Sequence, residues 1–195
     1  MSALEIIGFV FGVAGVWLTI KEHWACFPVG LVNVGVSLFL FLDQKLYSDT
    51  VQQGVYIILL SYGWYRWNAA GNKLVLKVGV LEPMMRAVLI AAFFVIALTM
   101  GYFFDTYTDA DVPYLDAIAT AMSFIAQFLI ARKKIENWLL WMVVNVLYIG
   151  IYTYKGLYLY AILFLIYLVL AIKGYLTWKT SLIQHHKSAA GETAG

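Results

Sequence analysis

The stretch from Ile135 to Tyr158, IENWLLWMVVNVLYIGIYTYKGLY, is apolar enough for a membrane helix, yet it contains Trp138, Trp141 and Asn145. An apolar segment of about 20 residues crosses the hydrocarbon core of a bilayer as one α-helix. An amide without a partner in hydrocarbon costs on the order of a few kcal/mol, so Asn145 must face the interior of a helix bundle. The stretch therefore predicts a membrane helix with one face turned away from lipid.

The composition of the whole chain indicates the same environment. Of its 195 residues, 63% are apolar and only 12% are charged, which excludes a soluble globule with an ordinary charged surface. The apolar runs are continuous, whereas strands of a membrane barrel alternate over about 10 residues. We predict seven membrane helices, at 3–20, 24–42, 50–67, 83–104, 114–131, 136–154 and 158–178.

The basic residues predict the orientation of these helices. Eleven lysine and arginine residues fall on one side of the predicted membrane, and two, Lys45 and Lys155, fall on the other. Cytoplasmic loops carry the excess of basic residues, so the amino terminus is predicted to lie outside and the carboxyl terminus in the cytoplasm. The net charge of +2 reflects this topology, and the chain shows no basic patch for a nucleic acid.

An internal repeat predicts the architecture. A shift of 111 positions superimposes Tyr56 on Tyr167, Gly63 on Gly174 and Trp67 on Trp178, and a shift of 112 superimposes Asn33 on Asn145. Because three helices cross the membrane an odd number of times, one linking helix makes the two units parallel, in a 3+1+3 plan. The predicted parts are a first repeat (1–67), a linker with the fourth helix and an external loop (68–113), a second repeat (114–180) and a disordered tail (181–195).

Three segments resemble the Pnu vitamin transporters: WACFPVGLVNVG, LYSDTVQQGVYIILLSYGWYRW and RKKIENWLLWMVVNVLYIGIYTYKGLY. The resemblance implies a trimeric protein of the bacterial inner membrane, with the fold of the SWEET and semiSWEET sugar carriers. It also implies that a cytoplasmic kinase traps the imported vitamin by phosphorylation. Members of the family carry nicotinamide riboside, thiamine, riboflavin or deoxynucleosides. Nicotinamide riboside is the expected substrate, with thiamine as the alternative and a sugar as a more distant one.

Polar and aromatic residues share faces of the predicted helices. Trp138, Trp141, Asn145 and Tyr148 follow the spacing i, i+3, i+7 and i+10, which places them on one helix face. Trp138 is predicted either to anchor the helix at the membrane interface or to lie along the substrate path. Asn145 either contacts substrate or bonds a neighbouring helix. The predicted substrate cavity is lined by Asn33, Gln53, Tyr56, Gln127, Trp141, Asn145, Tyr148 and Tyr167.

The sequence also argues against several other mechanisms. No ionisable residue lies near the middle of a predicted span, which disfavours proton coupling, and no glycine-rich phosphate loop is present. The nearest approach to an enzyme site, Asp105, Asp109 and Asp111, lies in a predicted external loop. We therefore expect facilitated diffusion by alternating access, with no catalytic residue, cofactor or metal. An aromatic and amide cavity suits a flat ring cation such as nicotinamide riboside or thiamine.

Overall fold

The computed structural model describes residues 3–43, 47–68, 76–108 and 111–192. Within them the chain forms seven α-helices, whose bounds agree with the predicted spans to within a few residues, the last helix excepted. Pro83 and Pro113 occupy the first turns of two of them, where proline fits the helix geometry. The helices are α1 (Ala3–Ile20), α2 (Cys26–Asp43), α3 (Tyr47–Asn68), α4 (Pro83–Tyr107), α5 (Pro113–Ala131), α6 (Glu136–Tyr154) and α7 (Tyr158–Glu192).

Four of these helices are long and apolar enough to cross a membrane individually: Cys26–Asp43, Pro83–Tyr107, Pro113–Ala131 and, within α7, Tyr158–His185. The other three are shorter in apolar length or contain more polar residues. In α3, for example, Gln52 and Gln53 interrupt the apolar run and line an internal cavity. The chain is thus an all-helical, multi-pass membrane protein.

Helix α7 differs most from the prediction. The sequence predicted a span that ends at residue 178 and a disordered tail over 181–195, whereas the structure continues the helix to Glu192. The physical reason is that the tail contains no proline, and its residues up to Ala190 include no glycine, so nothing stops the helix there. The prediction of disorder was therefore wrong for 181–192, and residues 193–195 lie outside the described part.

The helices pack as a ring. Helices α1, α2 and α3 pack in succession, α5, α6 and α7 do the same, and the two sets meet where α3 contacts α5 and α1 contacts α7. Helix α4 packs along α5. Six helices thus surround a central space, and α4 lies beside the ring.

At one end of this ring, positions that are 111 residues apart, and so equivalent in the two repeats, make matching contacts. Glu22 and Lys133 are separated by the same 111 positions. The indole of Trp67 donates to the Ile130 carbonyl at 3.2 Å, and that of Trp178 donates to the Thr19 carbonyl at 3.1 Å. Each bond joins the third helix of one set to the first helix of the other. Positions that are equivalent in the two repeats therefore make the same contact twice, once in each direction.

The glycines in these helices allow close packing. A Cβ on Gly63 would overlap the Phe27 ring, and a Cβ on Gly174 would overlap the indole of Trp138. The ring of Trp138 in turn meets Trp178 edge to face, with centroids 5.4 Å apart. Glycine is needed at both positions because a large ring lies directly on the helix backbone.

A short extended segment before α4 closes this end of the ring. The Gly79 amide donates to the Lys133 carbonyl and the Gly79 carbonyl accepts from the Ile135 amide, both at 3.0 Å. Val78, next to it, is 3% exposed and packs in the cluster that contains Trp138 and Trp178. The sequence predicted a plain linker here, because a two-residue pairing has no recognisable pattern of its own.

Candidate functional site

The ring encloses a cavity of about 1110 Å³. Its walls come from all six ring helices, and residues 103–108 at the end of α4 contribute to one side. Pockets for small organic molecules typically measure roughly 300–1,000 Å³, so the space is large enough for a vitamin-sized solute.

The structure brings all eight predicted site residues to this one cavity: Asn33, Gln53, Tyr56, Gln127, Trp141, Asn145, Tyr148 and Tyr167. They come from five different helices and span most of the chain. Their common position follows from the ring, which turns the polar face of each helix inward.

The two asparagines of the site have different surroundings. The amide of Asn33 donates to the Gly8 carbonyl and so joins α2 to α1. Asn145 is only 3% exposed and lines the cavity, and within the described residues its amide makes no hydrogen bond. Because a buried amide needs a partner, a solute or water in the cavity is the group that can supply one to Asn145.

Helix α5 presents a polar line to the cavity. Thr120, Ser123 and Gln127 are all less than 9% exposed and all line the cavity. The Ser123 hydroxyl donates to the Ala119 carbonyl at 2.8 Å within the same helix, and the hydroxyl of Tyr56 lies close to it. This wall therefore offers hydroxyl and amide groups in a space whose other walls are mainly apolar and aromatic.

An aromatic wall faces the same space from α6 and α7. The ring centroids of Tyr148 and Phe164 lie 4.7 Å apart, and those of Tyr152 and Phe164 lie 5.4 Å apart with an interplanar angle of 21°. Sequence reasoning missed Tyr152 and Phe164. Tyr152 follows Tyr148 by four residues and so continues the face of Trp141 and Tyr148, a signal that was available. Phe164 carried no such signal, since it lies among apolar residues of α7.

Charged residues lie at one end of the cavity. Lys155 Nζ lies 3.8 Å from an Asp116 carboxylate oxygen and 3.9 Å from one of Asp111, and Asp49 also lines this end. The remaining described lining carries no formal charge. We call Asp49, Asp116 and Lys155 the charged mouth.

Trp138 lies at the other end, and the interfacial interpretation of this residue was wrong. Its side chain is 2% exposed and packs against Gly174 and Trp178, because the glycine leaves room for the indole inside the bundle. Its indole nitrogen is buried and has no partner among the described residues. Trp138 lines the cavity at the end opposite the charged mouth, so its predicted position along the substrate path remains a prediction.

The described residues contain no group of three or more histidine, cysteine, aspartate or glutamate side chains that could hold a metal ion. Cys26 is buried at the start of α2 and lines the cavity. The polar groups of the candidate site are therefore mainly amides and hydroxyls, set among aromatic and aliphatic side chains, with charges confined to one end.

Comparisons with known proteins agree on one group of transporters. The model of the family described as "Nicotinamide mononucleotide transporter" matches residues 2–180. The chain is 25% identical to the nicotinamide riboside transporter PnuC of Escherichia coli (strain K12), over 93% of this chain and 87% of that protein. It is 24% identical to the riboflavin/roseoflavin transporter RibM of Streptomyces davaonensis, over 89% and 83%.

The fold is also similar to a solved structure. The crystal structure of the vitamin B3 transporter PnuC matches with a TM-score of 0.74 and 23% identity, over 93% of this chain and 83% of that chain. At this identity the likeness establishes the fold and leaves the cargo open.

Proposed function

Because the chain belongs to the nicotinamide mononucleotide transporter family, we propose that it carries a vitamin-type small molecule across the bacterial inner membrane and that this molecule is nicotinamide riboside. The proteins that it resembles are named as transporters, so the chain is a transporter rather than an enzyme. The observation that supports the proposed cargo is the lining of the cavity, which combines stacked rings with amides and hydroxyls.

The chemistry of that lining fits a flat ring cation that carries a polar group. Ring faces such as those of Trp141 and Tyr148 attract a cation by roughly 0.5–2 kcal/mol without a buried carboxylate. The unpaired amide of Asn145 can then bond a carboxamide or a hydroxyl of the solute. The eight lining residues predicted from the sequence are the proposed binding site. Trp138 is proposed to lie on the substrate path at the end of the cavity opposite the charged mouth.

We propose the 3+1+3 plan for the architecture, with parallel repeats at 1–67 and 114–180. The reciprocal bonds of Trp67 and Trp178 support it, because two parallel units related by a twofold axis would make such paired contacts. The charge distribution supports an external amino terminus and a cytoplasmic carboxyl terminus. Lys45 and Lys73, which enter that argument, lie outside the described residues, as does Asp109 of the predicted external loop.

The proposed mechanism is facilitated diffusion by alternating access, with net uptake supplied by a cytoplasmic kinase. The uncharged middle of the cavity supports it, since ion-coupled carriers usually place ionisable residues there. A homotrimer is proposed on the resemblance alone. Riboflavin is a second candidate cargo because one relative is named as its transporter, and thiamine, also a ring cation, is a third.

Counterflow in proteoliposomes tests the function directly. Vesicles loaded with unlabelled nicotinamide riboside should accumulate the labelled compound without ATP or an ion gradient. Parallel calorimetric titrations with nicotinamide riboside, thiamine and riboflavin rank the cargo, and glucose and sucrose serve as competitors. Tighter binding of thiamine or riboflavin would reassign the cargo, and competition by a sugar would favour the sugar-carrier alternative. Absence of counterflow for every vitamin, in protein that is folded, would refute the proposed function.

A further inference from the structure

The end of the ring opposite the charged mouth holds a buried ion pair. Lys133 Nζ lies 3.0 Å from a Glu22 carboxylate oxygen, and the two side chains are 7% and 21% exposed. Glu22 follows α1 and Lys133 follows α5, so the pair joins the two three-helix sets. We call the turns 21–25 and 132–135 the closed end.

Backbone geometry at the closed end directs the two side chains toward each other. Glu22 and Lys133 both adopt positive φ, 54° and 50°, a conformation that side chains other than glycine rarely take. Each lies two residues past the last residue of its helix. His23 bonds back to Leu18 and Lys134 bonds back to Leu129, so both helices end in the same hydrogen-bonded turn. Glycine would be the easier residue here, and the presence of two opposite charges instead points to a role for the side chains.

The ion pair is part of a larger contact between the two sets. The Lys133 ammonium also lies 4.5 Å from the centroid of the Trp67 ring. That same indole donates to Ile130, while Trp178 donates to Thr19. The pair, the cation over the ring and the two indole bonds therefore all cross between α1 or α3 on one side and α5 or α7 on the other.

The cavity stops just short of this contact. Its last lining residues at the closed end include Thr19 and Ile130, whereas Ile20, Trp178 and the ion pair lie beyond it. Ile20 and Trp178 are 1% and 0% exposed, so a buried layer separates the cavity from the closed end. A solute that leaves here requires the two sets to separate at this contact.

We propose that Glu22 and Lys133 form a latch that holds the closed end shut and parts when the cavity opens on that side. The inference rests on the proposed transport function, because only a carrier needs this end to open. An ion pair suits a reversible closure: when the sets part, both charges regain water, which offsets much of the attraction that is lost. A purely apolar seal would instead expose its whole surface on opening.

The only cysteine of the chain provides the reporter for a test. Cys26 is 4% exposed and lines the cavity beside the closed end, so a thiol reagent applied on that side reaches it only after the latch parts. Labelling is measured with an impermeant maleimide in inverted and in right-side-out membrane vesicles. Val80 is 53% exposed and lies beside Gly79. A Val80→Cys substitution in a Cys26→Ser background therefore shows which type of vesicle presents the closed end to the reagent.

Lys133→Met removes the charge and keeps the length of the side chain. We expect it to raise the Cys26 labelling rate from the closed-end side by about 5- to 150-fold, the range typical of coupling between two states. Glu22→Gln is the second variant and should act in the same direction. Lys21→Met, an equal charge change at an exposed position in the same turn, is the matched control and should leave the rate unchanged. The exchanged pair, Glu22→Lys with Lys133→Glu, should restore slow labelling.

An unchanged labelling rate in folded Lys133→Met and Glu22→Gln proteins would overturn the latch. So would an equal rise from both sides together with a lowered melting temperature, because that pattern indicates general loosening. The labelling needs no vitamin, so it can succeed or fail independently of the counterflow assay that tests the cargo.

Discussion

Substitution of Asn145 by alanine separates a substrate contact from a packing contact. The Asn145 amide is 3% exposed, lines the cavity and makes no hydrogen bond within the described residues. Asn145→Ala therefore removes no bond that holds the bundle together. We expect it to lower the free energy of unfolding by less than Asn33→Ala does, because Asn33→Ala breaks an interhelical hydrogen bond.

The effect on binding should be larger. If the amide bonds a polar group of the solute, its loss leaves that group unpaired in a buried space, at a cost of about 1–3 kcal/mol. This corresponds to a rise in the dissociation constant of about 5- to 150-fold. Calorimetric titration of nicotinamide riboside into purified wild-type and variant protein measures the change.

Asn33 is the matched control, because its amide is committed to the Gly8 carbonyl on α1. Asn33→Ala removes an interhelical hydrogen bond and should cost stability by about 0.6–1.7 kcal/mol, read as a lower melting temperature. If Asn145→Ala instead lowers stability as Asn33→Ala does, and the folded fraction binds with unchanged affinity, then Asn145 is a packing residue and the proposed site is wrong.

Three further predictions concern the cavity wall, the packing and the topology. Trp141→Ala should weaken vitamin binding by titration, whereas Trp141→Phe should keep part of the affinity because it retains a ring face. Gly174→Ala should destabilise the protein by about 1–3 kcal/mol, since its methyl group would overlap the Trp138 indole. Gly54→Ala is the control: a Cβ at Gly54 has no neighbouring atom within 4 Å, so this substitution should be neutral or stabilising in thermal unfolding. In a cysteine-free background, an impermeant maleimide added to intact cells should label Asp111→Cys and spare Val80→Cys; labelling of Val80→Cys alone would reverse the orientation.

Much of the fold was predictable because each helix carries its own signal. A long apolar run marks a span, and Pro83 and Pro113 mark where two of the helices begin. The inward faces were predictable for the same reason, since helical spacing groups Trp141, Asn145 and Tyr148 without reference to any other helix.

Features that depend on the meeting of distant segments were not predictable. Trp138 has the same spacing signal as Trp141, yet Gly174, on another helix, determines that it is buried rather than interfacial. The pairing of Glu22 with Lys133 likewise requires knowledge that the two helix ends converge. The extension of α7 was missed for a different reason, because a polar composition was taken as disorder although it contains few helix breakers.

Some positions that are equivalent in the two repeats behave alike and others do not. Trp67 and Trp178, near the closed end, make matching contacts, whereas several pairs around the cavity differ in residue type or in hydrogen bonding. Gln53 corresponds to Phe164, so one set supplies an amide where the other supplies a ring. Asn33 bonds the Gly8 carbonyl, whereas Asn145 bonds no other residue in the part of the chain that the structure describes. Because the two sets present different residues to the cavity, its lining is asymmetric, and a flat solute with polar groups on one edge is expected to bind in a single orientation.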